Sequence, residues 1–312
     1  MKQFAYILNQ GLKDNIEHYL GKIDKYATTS PFTIVYGLAR SFLAASLLIT
    51  LLFNKTDYLY ADFMFEKAKN TSTFFSDYNL FFLFNYQDLW IAKLISIIVL
   101  ILVIIGYFPQ ITSIAHWWIS YSFFNSALLI EGGDQIFTIL TLLLIPIALL
   151  DTRANHWQGV RKTSAFRNLT AWVFFILIEI QAAVLYLQAG VEKPYKVEEW
   201  RDGSAIYYWF SHNIFGANSF IFKLLTPLLS NQLSVFLINW CVIIFELTLF
   251  GVFFMKPKNR IVLFFCAVIF HFVIALIHGL GSFFVSITGL LIIYMLNQYV
   301  VFRLNNNYFY TK

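Results

Sequence analysis

Charge is what this chain has least of. Of its 312 residues only 12% are Asp, Glu, Lys or Arg, against 59% hydrophobic. No polar stretch is long enough to bury a soluble core of its own. Cysteine is nearly absent as well. Cys241 and Cys266 both stand inside apolar runs, at depths that differ by roughly 10 Å along their helices, which excludes a disulfide. Both read as small buried apolar groups. Without a Cys–His ligand spacing, structural zinc is not expected. No basic stripe is interleaved with aromatics, so the formal net charge of +5 does not point to nucleic acid. The chain has no internal repeat and no low-complexity tract. Its N-terminus is polar for about thirty residues and its first apolar run is long enough to stay in a membrane, so a signal anchor is expected and a cleavable signal peptide is not.

What fills the chain instead is a succession of apolar runs near the roughly 20 residues that cross a bilayer. They cover about Phe32–Phe53, Leu89–Phe108, Ile111–Ile130, Gln135–Leu150, Leu169–Val191, Leu233–Met255, Ile261–His278 and Ser282–Phe302. The fourth is short. The predicted fold is all-α, a polytopic membrane helical bundle of about eight transmembrane helices, with 1–312 forming one integral membrane domain. Thirteen basic residues precede the first span or follow the fourth, sixth and eighth, Arg153, Lys162, Arg260 and Arg303 among them, against four acidic ones. The opposite side carries eight basic residues, seven in its loops and Lys93 one turn inside the second span, against eleven acidic ones. The basic loops therefore belong inside, which places both termini in the cytoplasm and the protein in the cytoplasmic membrane.

Residues 1–31 form a cytoplasmic arm in which Phe4, Ile7, Leu8, Leu12, Ile16, Tyr19, Leu20 and Ile23 recur at helical spacing. Such a helix either lies on the inner membrane surface or packs on the protein. Two outer segments, Asn54–Asp88 and Glu192–Gln232, are long enough to hold structure. Within the second, Ser204–Phe215 is aromatic but too short to span, so an interfacial or re-entrant helix capped by Asp202 or Ser204 is expected. The 35 Phe and 18 Tyr fit interface belts and packing, or the lining of a pocket for a flat ring.

Charges inside spans are costly, and Arg40, Glu179 and Glu246 are the three clear cases. One carboxylate is expected to neutralise Arg40 and the other to be protonated or hydrogen-bonded; a structural ion pair and a proton relay both remain open. His271 and His278 lie seven apart on one helix face, too far apart to share a metal. Each can be packing, and His278 stands where protons exchange with outer-side chemistry. Glu131-Gly132-Gly133-Asp134 joins spans three and four on the outer side, either as a tight turn with Asp134 as cap or as a ligand-orienting carboxylate pair. Ala189-Gly190-Val191-Glu192-Lys193-Pro194 ends span five. Lys193 there can snorkel to the interface or, in a dry pocket, act as a base.

The run from Asn125 through Glu131-Gly132-Gly133-Asp134, with Ala189-Gly190-Val191-Glu192-Lys193, Trp200-Arg201-Asp202-Gly203, Phe245-Glu246 and Phe270-His271, resembles the horizontally transferred transmembrane (HTTM) domain family, which includes vitamin K-dependent gamma-carboxylase. Within it, Ala39-Arg40-Ser41 and Thr50 to Asp57 resemble the membrane B components of sporulation-delaying peptide-toxin systems. The carboxylases carry a base lysine in an Ala-Gly-Val-Lys-Lys run whose second lysine matches Lys193. Here Glu192 replaces the first, and the chain ends soon after span eight where the carboxylases continue into a soluble domain. These departures argue against carboxylation of glutamate and leave a lipid or quinone pocket as what the resemblance implies.

The resemblance implies a protein needed for maturation or export of a secreted antimicrobial peptide, with the peptide-toxin precursor and a small protein of the same system as partners. A quinol or other lipid is the cofactor class. Lys193 would be base or substrate-contacting cation, with Asp134 and Glu131 orienting it and His278 relaying protons. Trp200, Glu131 and His271 would hold a cofactor, while Glu246 and Arg40 would belong to the scaffold. Two alternatives stand beside this: a non-catalytic scaffold or conduit for the precursor, and a quinone-linked enzyme acting on a small molecule.

Overall fold

The computed structural model describes residues 2–70, 76–213, 215–301 and 303. In chain order the helices are α1 (Lys2–Thr28), α2 (Ile34–Phe53), α3 (Thr56–Leu59), α4 (Asp62–Asn70), α5 (Leu89–Ile105), α6 (Pro109–Ser126), α7 (Gly132–Leu150), α8 (Ala165–Lys196), α9 (Glu198–Asp202), α10 (Ala205–Ser211), α11 (Ser219–Leu229), α12 (Gln232–Gly251), α13 (Pro257–His278) and α14 (Gly281–Leu291), which runs on through a π turn at Ile292–Leu296. No strand occurs among the described residues. The protein is an all-α polytopic membrane bundle.

Local chemistry sets the helix ends. Thr33 caps α2, Ser164 caps α8 and Asn231 caps α12, each side-chain oxygen accepting from a first-turn amide. Proline opens α6 and α13, where its missing N–H is not needed. Gly106 and Gly279 close α5 and α13 in the left-handed region.

Among the described residues, seven helices are long and apolar enough to cross a membrane. The third expected span, α6, is not one of them, because Gln110, Thr112, Ser113, His116, Ser120, Ser122 and Asn125 lower its hydropathy. It traverses the bundle nonetheless. Tyr107 pairs with Asn155, and the His156 amide donates to Gly106 O at 3.0 Å, so the C-terminal ends of α5 and α7 share one face of the molecule. Parallel neighbours must be joined by a helix running back. Thr112, Ser113, His116, Ser120 and Ser122 are buried against protein, away from lipid.

Chain direction then alternates, giving a proximal end with α1, the Asp151–Ser164 loop and Arg303, and a distal end with α3, α4 and α9–α11. α2 and α14 are the inner helices, 61% and 67% buried over their apolar windows, whereas α13 at 17% stands at the lipid rim. Ile16, Tyr19, Leu20 and Ile23 are exposed on α1, while its end packs on α8 through the Tyr26 and Trp172 rings. The side chains of Phe4, Ile7, Leu8 and Leu12, and the end of span eight at Phe302, lie outside the described residues.

Three expectations fail here. Cys241 and Cys266 are free, but both are exposed instead of buried, Cys241 on the wall of a cavity between α12 and α13. The interfacial segment is helical only over Ala205–Ser211, since Asp202 Oδ1 takes the Ser204 amide and hydroxyl at 2.9 and 2.6 Å, and the chain turns at His212. Finally, neither in-span carboxylate neutralises Arg40. Its guanidinium donates to His156 Nδ1 at 3.0 Å and to Thr112 Oγ1 at 3.1 Å and lies over the Tyr36 ring. His156 is neutral, its pKa pushed down to about 3 by burial, with the Arg40 charge adding to the shift. Gly37 and Gly106 make room for the imidazole, for a Cβ on either would come within 2.8 and 2.6 Å of its Cδ2.

Glu179 instead binds Arg260 at 3.0 Å and accepts from Gln298 Nε2 at 2.8 Å. Carbonyls of Met255, Phe253 and Tyr294 complete the Arg260 shell.

Candidate functional site

The remaining in-span carboxylate organises the site. α8 does not stop at Val191 but continues through Pro194 to Lys196, which carries Lys193 alongside α12. The close approach of the two helices at Gly190, where a Cβ would meet Leu247 at 2.7 Å, sets the level. Glu246, roughly 20 Å from the start of α12, therefore faces Lys193.

Lys193 Nζ donates to both Glu246 oxygens at 2.7 and 2.5 Å and to Ala189 O at 3.1 Å. The ammonium also stands 5.5 Å from the centre of the Trp200 ring, a favourable cation–π position. Trp200 is fixed in turn, its carbonyl accepting from Asn239 Nδ2 at 2.9 Å. The Lys193 and Glu246 side chains are 23% and 11% exposed, so the pair is neither sealed nor solvated. Glu192 points away and pairs with Lys196 at 2.8 Å.

The pair stands between two cavities. A narrow one of about 340 Å³, bounded by α7, α8, α13 and α14, is lined by Gln135, Gln181, Tyr186, Gln188, His271 and Phe283 among others. A wider one of about 820 Å³ separates α12 from α13 beneath α9 and α10, lined by Trp200, Trp209, Phe210, Phe245, Phe270 and His278. Lys193 and Glu246 line both. His271, buried against Tyr186 and Phe283, donates from Nδ1 to Ala267 O at 2.8 Å, which leaves Nε2 as an acceptor. At the mouth of the wider cavity His278 likewise donates from Nδ1 to Phe215 O at 2.6 Å.

Sporulation-delaying protein SdpB of Bacillus subtilis (strain 168) is 35% identical to this chain over 287 residues, which cover 88% of this chain and 84% of that protein. The chain belongs to the SdpB family. YitO, an uncharacterized protein of the same organism, is 33% identical over 287 residues, covering 90% of this chain and 91% of YitO. No protein-family model matches the chain, and no solved structure matches it. SdpB-family membership and the helical bundle together make it a membrane protein of the SdpB system.

In this SdpB-family chain Lys193 stands beside Trp200, Lys193 and His271 share the wall of the narrow cavity, and Trp200 and His278 line the wider one. Asp134 and Glu131 do not orient Lys193. Asp134 Oδ2 accepts the Glu131 amide at 2.8 Å, while Glu131 Oε1 accepts from Ser282 at 2.5 Å. Burial raises the Glu131 carboxyl above its usual range, with the Ser282 hydroxyl opposing. Gly133 is needed because a Cβ would come within 2.9 Å of Phe283 Cα, and Ser286 donates to the Gly133 carbonyl at 2.9 Å. The motif thus clamps the start of α7 onto α14, and only Gly132 of its four residues reaches the narrow cavity.

Glu246 is the residue that sequence reasoning placed in the scaffold and the fold places in the site. An in-span carboxylate without an assigned cation was the available signal. Gln181 and Tyr186 carried none, since uncharged polar groups inside a span are common.

Proposed function

We propose that this protein serves the maturation or export of a secreted antimicrobial peptide of the sporulation-delaying type, with its distal face outside and its proximal face in the cytoplasm. The basic residues of the proximal loops support that orientation. The observation that carries the proposal is that Lys193 opens onto two cavities inside a chain of the SdpB family, where an ordinary interface lysine would reach for headgroups.

In this reading the Lys193 ammonium donates to a carbonyl or carboxylate of the precursor, and Glu246 holds it in place and stands ready to take its proton. His271 Nε2 accepts a second proton from the narrow cavity, and His278 exchanges protons at the mouth of the wider one. The apolar walls of the wider cavity, with the Trp209, Phe210, Phe245 and Phe270 rings, fit a quinol or another lipid cofactor, which would supply redox chemistry when bound. A small protein of the same system is the expected partner.

A scaffold that only holds the precursor is the second reading. The closed ion pair at 2.5 Å favours it, because it already engages the Lys193 Nζ with both Glu246 oxygens.

Replacing Lys193 with Met in the native producer tests both. With normal membrane levels of the protein, loss of mature peptide from the medium by mass spectrometry supports a functional lysine site. Wild-type amounts of mature peptide would leave only the scaffold.

A further inference from the structure

The narrow cavity has an unusual inventory of hydrogen-bonding groups. Gln135 of α7 and Gln181 and Gln188 of α8 line it, and none of their side-chain amides has a hydrogen-bond partner among the described residues. The Tyr186 hydroxyl, on a side chain 2% exposed, also has no partner. His271 Nε2 is a further free acceptor, because its Nδ1 is already committed to Ala267 O. The Tyr186 hydroxyl, being buried, is costly to leave unpaired and such groups are normally satisfied, whereas Gln181 is half-buried and Gln135 and Gln188 are exposed, with amides free to take a ligand. Here they converge on one space, whose volume of about 340 Å³ lies at the lower end of ligand sites.

The charge inventory points the same way. The cavity's formal charges, Lys193 and Glu246, cancel each other at 2.5 Å. An ion placed as deep as Gln181, near the middle of α8, would have no counter-charge and would be strongly disfavoured. Between the amides the walls are aliphatic: Ile136 and Ile139 of α7, Leu185 of α8, Ile287 and Leu290 of α14.

A side-chain amide offers one donor and one acceptor surface, which is also what each residue of a peptide main chain offers. Gln181 and Gln188 lie two turns apart, about 10 Å along α8, the rise of about three residues of extended chain.

We infer that the narrow cavity binds an uncharged, apolar stretch of extended peptide, read through amide-to-amide hydrogen bonds from Gln135, Gln181 and Gln188 and through the Tyr186 hydroxyl. Apolar side chains of the peptide settle between the glutamines, and Lys193 meets the group that follows the bound stretch. This assignment rests on the peptide-handling reading above and names the part of the peptide that the site selects.

The test uses the full-length protein in detergent micelles. The probe is an N-acetylated, C-amidated heptapeptide of Ala, Val and Leu carrying one diazirine-leucine and a terminal alkyne. The expected result is saturable photolabelling that maps to residues 132–140, 181–189 and 283–290. It should weaken about tenfold when the central Leu of the probe becomes Glu or Lys, and by a similar factor in Gln181→Leu. Tyr186→Phe, which removes one oxygen and leaves the ring stack with Tyr294, should weaken it severalfold at an unchanged unfolding temperature. Labelling that does not saturate, that maps to the wider cavity, or that is indifferent to probe charge and to both variants overturns the inference. The proposed function fails separately. If Lys193→Met abolishes maturation in cells while the wild-type protein binds no probe, only the peptide site is wrong. If the probe binds as expected but Lys193→Met matures peptide normally, only the lysine's role is wrong.

Discussion

Removing the Lys193–Glu246 pair one member at a time and then together separates a functional site from a structural clip. A fully buried pair that loses one partner destabilises a protein by about 3–5 kcal/mol, because the survivor is stranded; an exposed pair contributes about 0–1 kcal/mol. With side chains 23% and 11% exposed to cavity space, single losses here should cost about 1–3 kcal/mol. Lys193→Met should cost more than Glu246→Leu. The stranded carboxylate of Glu246 has no other hydrogen-bond donor among the described residues, whereas a stranded Lys193 keeps Ala189 O and the Trp200 face. Lys193→Met/Glu246→Leu puts two apolar side chains across the α8–α12 contact and should return to within about 1 kcal/mol of the parent.

Stability is read by denaturant unfolding in micelles, and function by mass spectrometry of mature peptide from the native producer at matched membrane levels. A functional site predicts that all three variants lose mature peptide although the double variant is stable. A stable double variant that secretes normal amounts of mature peptide would refute the reasoning, as would single variants indistinguishable in stability from the parent.

Glu179→Leu should destabilise by about 3–5 kcal/mol, since Arg260 is enclosed with its partner at 3.0 Å and both are almost fully buried; the drop in unfolding temperature on heating the purified protein checks it. At the proximal end His156 is neutral, with a folded pKa near 3 against 6.5 for the free side chain. Below pH 6.5 the unfolded chain takes up a proton that the folded one refuses, so stability from this group is whole above that pH. It falls with acidification by about 1.4 kcal/mol per unit until roughly pH 3; His156→Gln should flatten that slope in unfolding measured from pH 7 to 4. Gly106→Ala should cost about 2 kcal/mol or more, with φ at +91° and a Cβ within 2.6 Å of His156, seen as lower yield and melting temperature. In whole cells, a cysteine placed at Ser230 should react with a membrane-impermeant maleimide and one at Gly159 should react only after permeabilisation. The reverse pattern would invert the proposed orientation.

Much of this molecule is legible along the chain because a bilayer demands it. Run length and hydropathy gave the crossing helices, and even α6, too polar to qualify alone, is required by the direction of its neighbours. Helical spacing gave α1 as a helix, and the difference in depth between Cys241 and Cys266 along their helices anticipated free thiols. Lys193, Trp200 and His271 were legible as candidates, and the fold puts Lys193 beside Trp200 and on the same cavity wall as His271.

Which charges meet was not legible. Periodicity fixes the face and depth of a residue on its own helix, but partners are chosen by the order of helices around the bundle. Arg260, counted in a loop, turns back onto Glu179; Arg40 is met by a neutral imidazole from the Asp151–Ser164 loop; Asp134 stays with the start of its own helix. The extension of α8 past Pro194 brings Lys193 level with Glu246, and the gap between α12 and α13 gives the pair an open side. Those are properties of packing between segments dozens of residues apart, so only the tertiary structure could decide them.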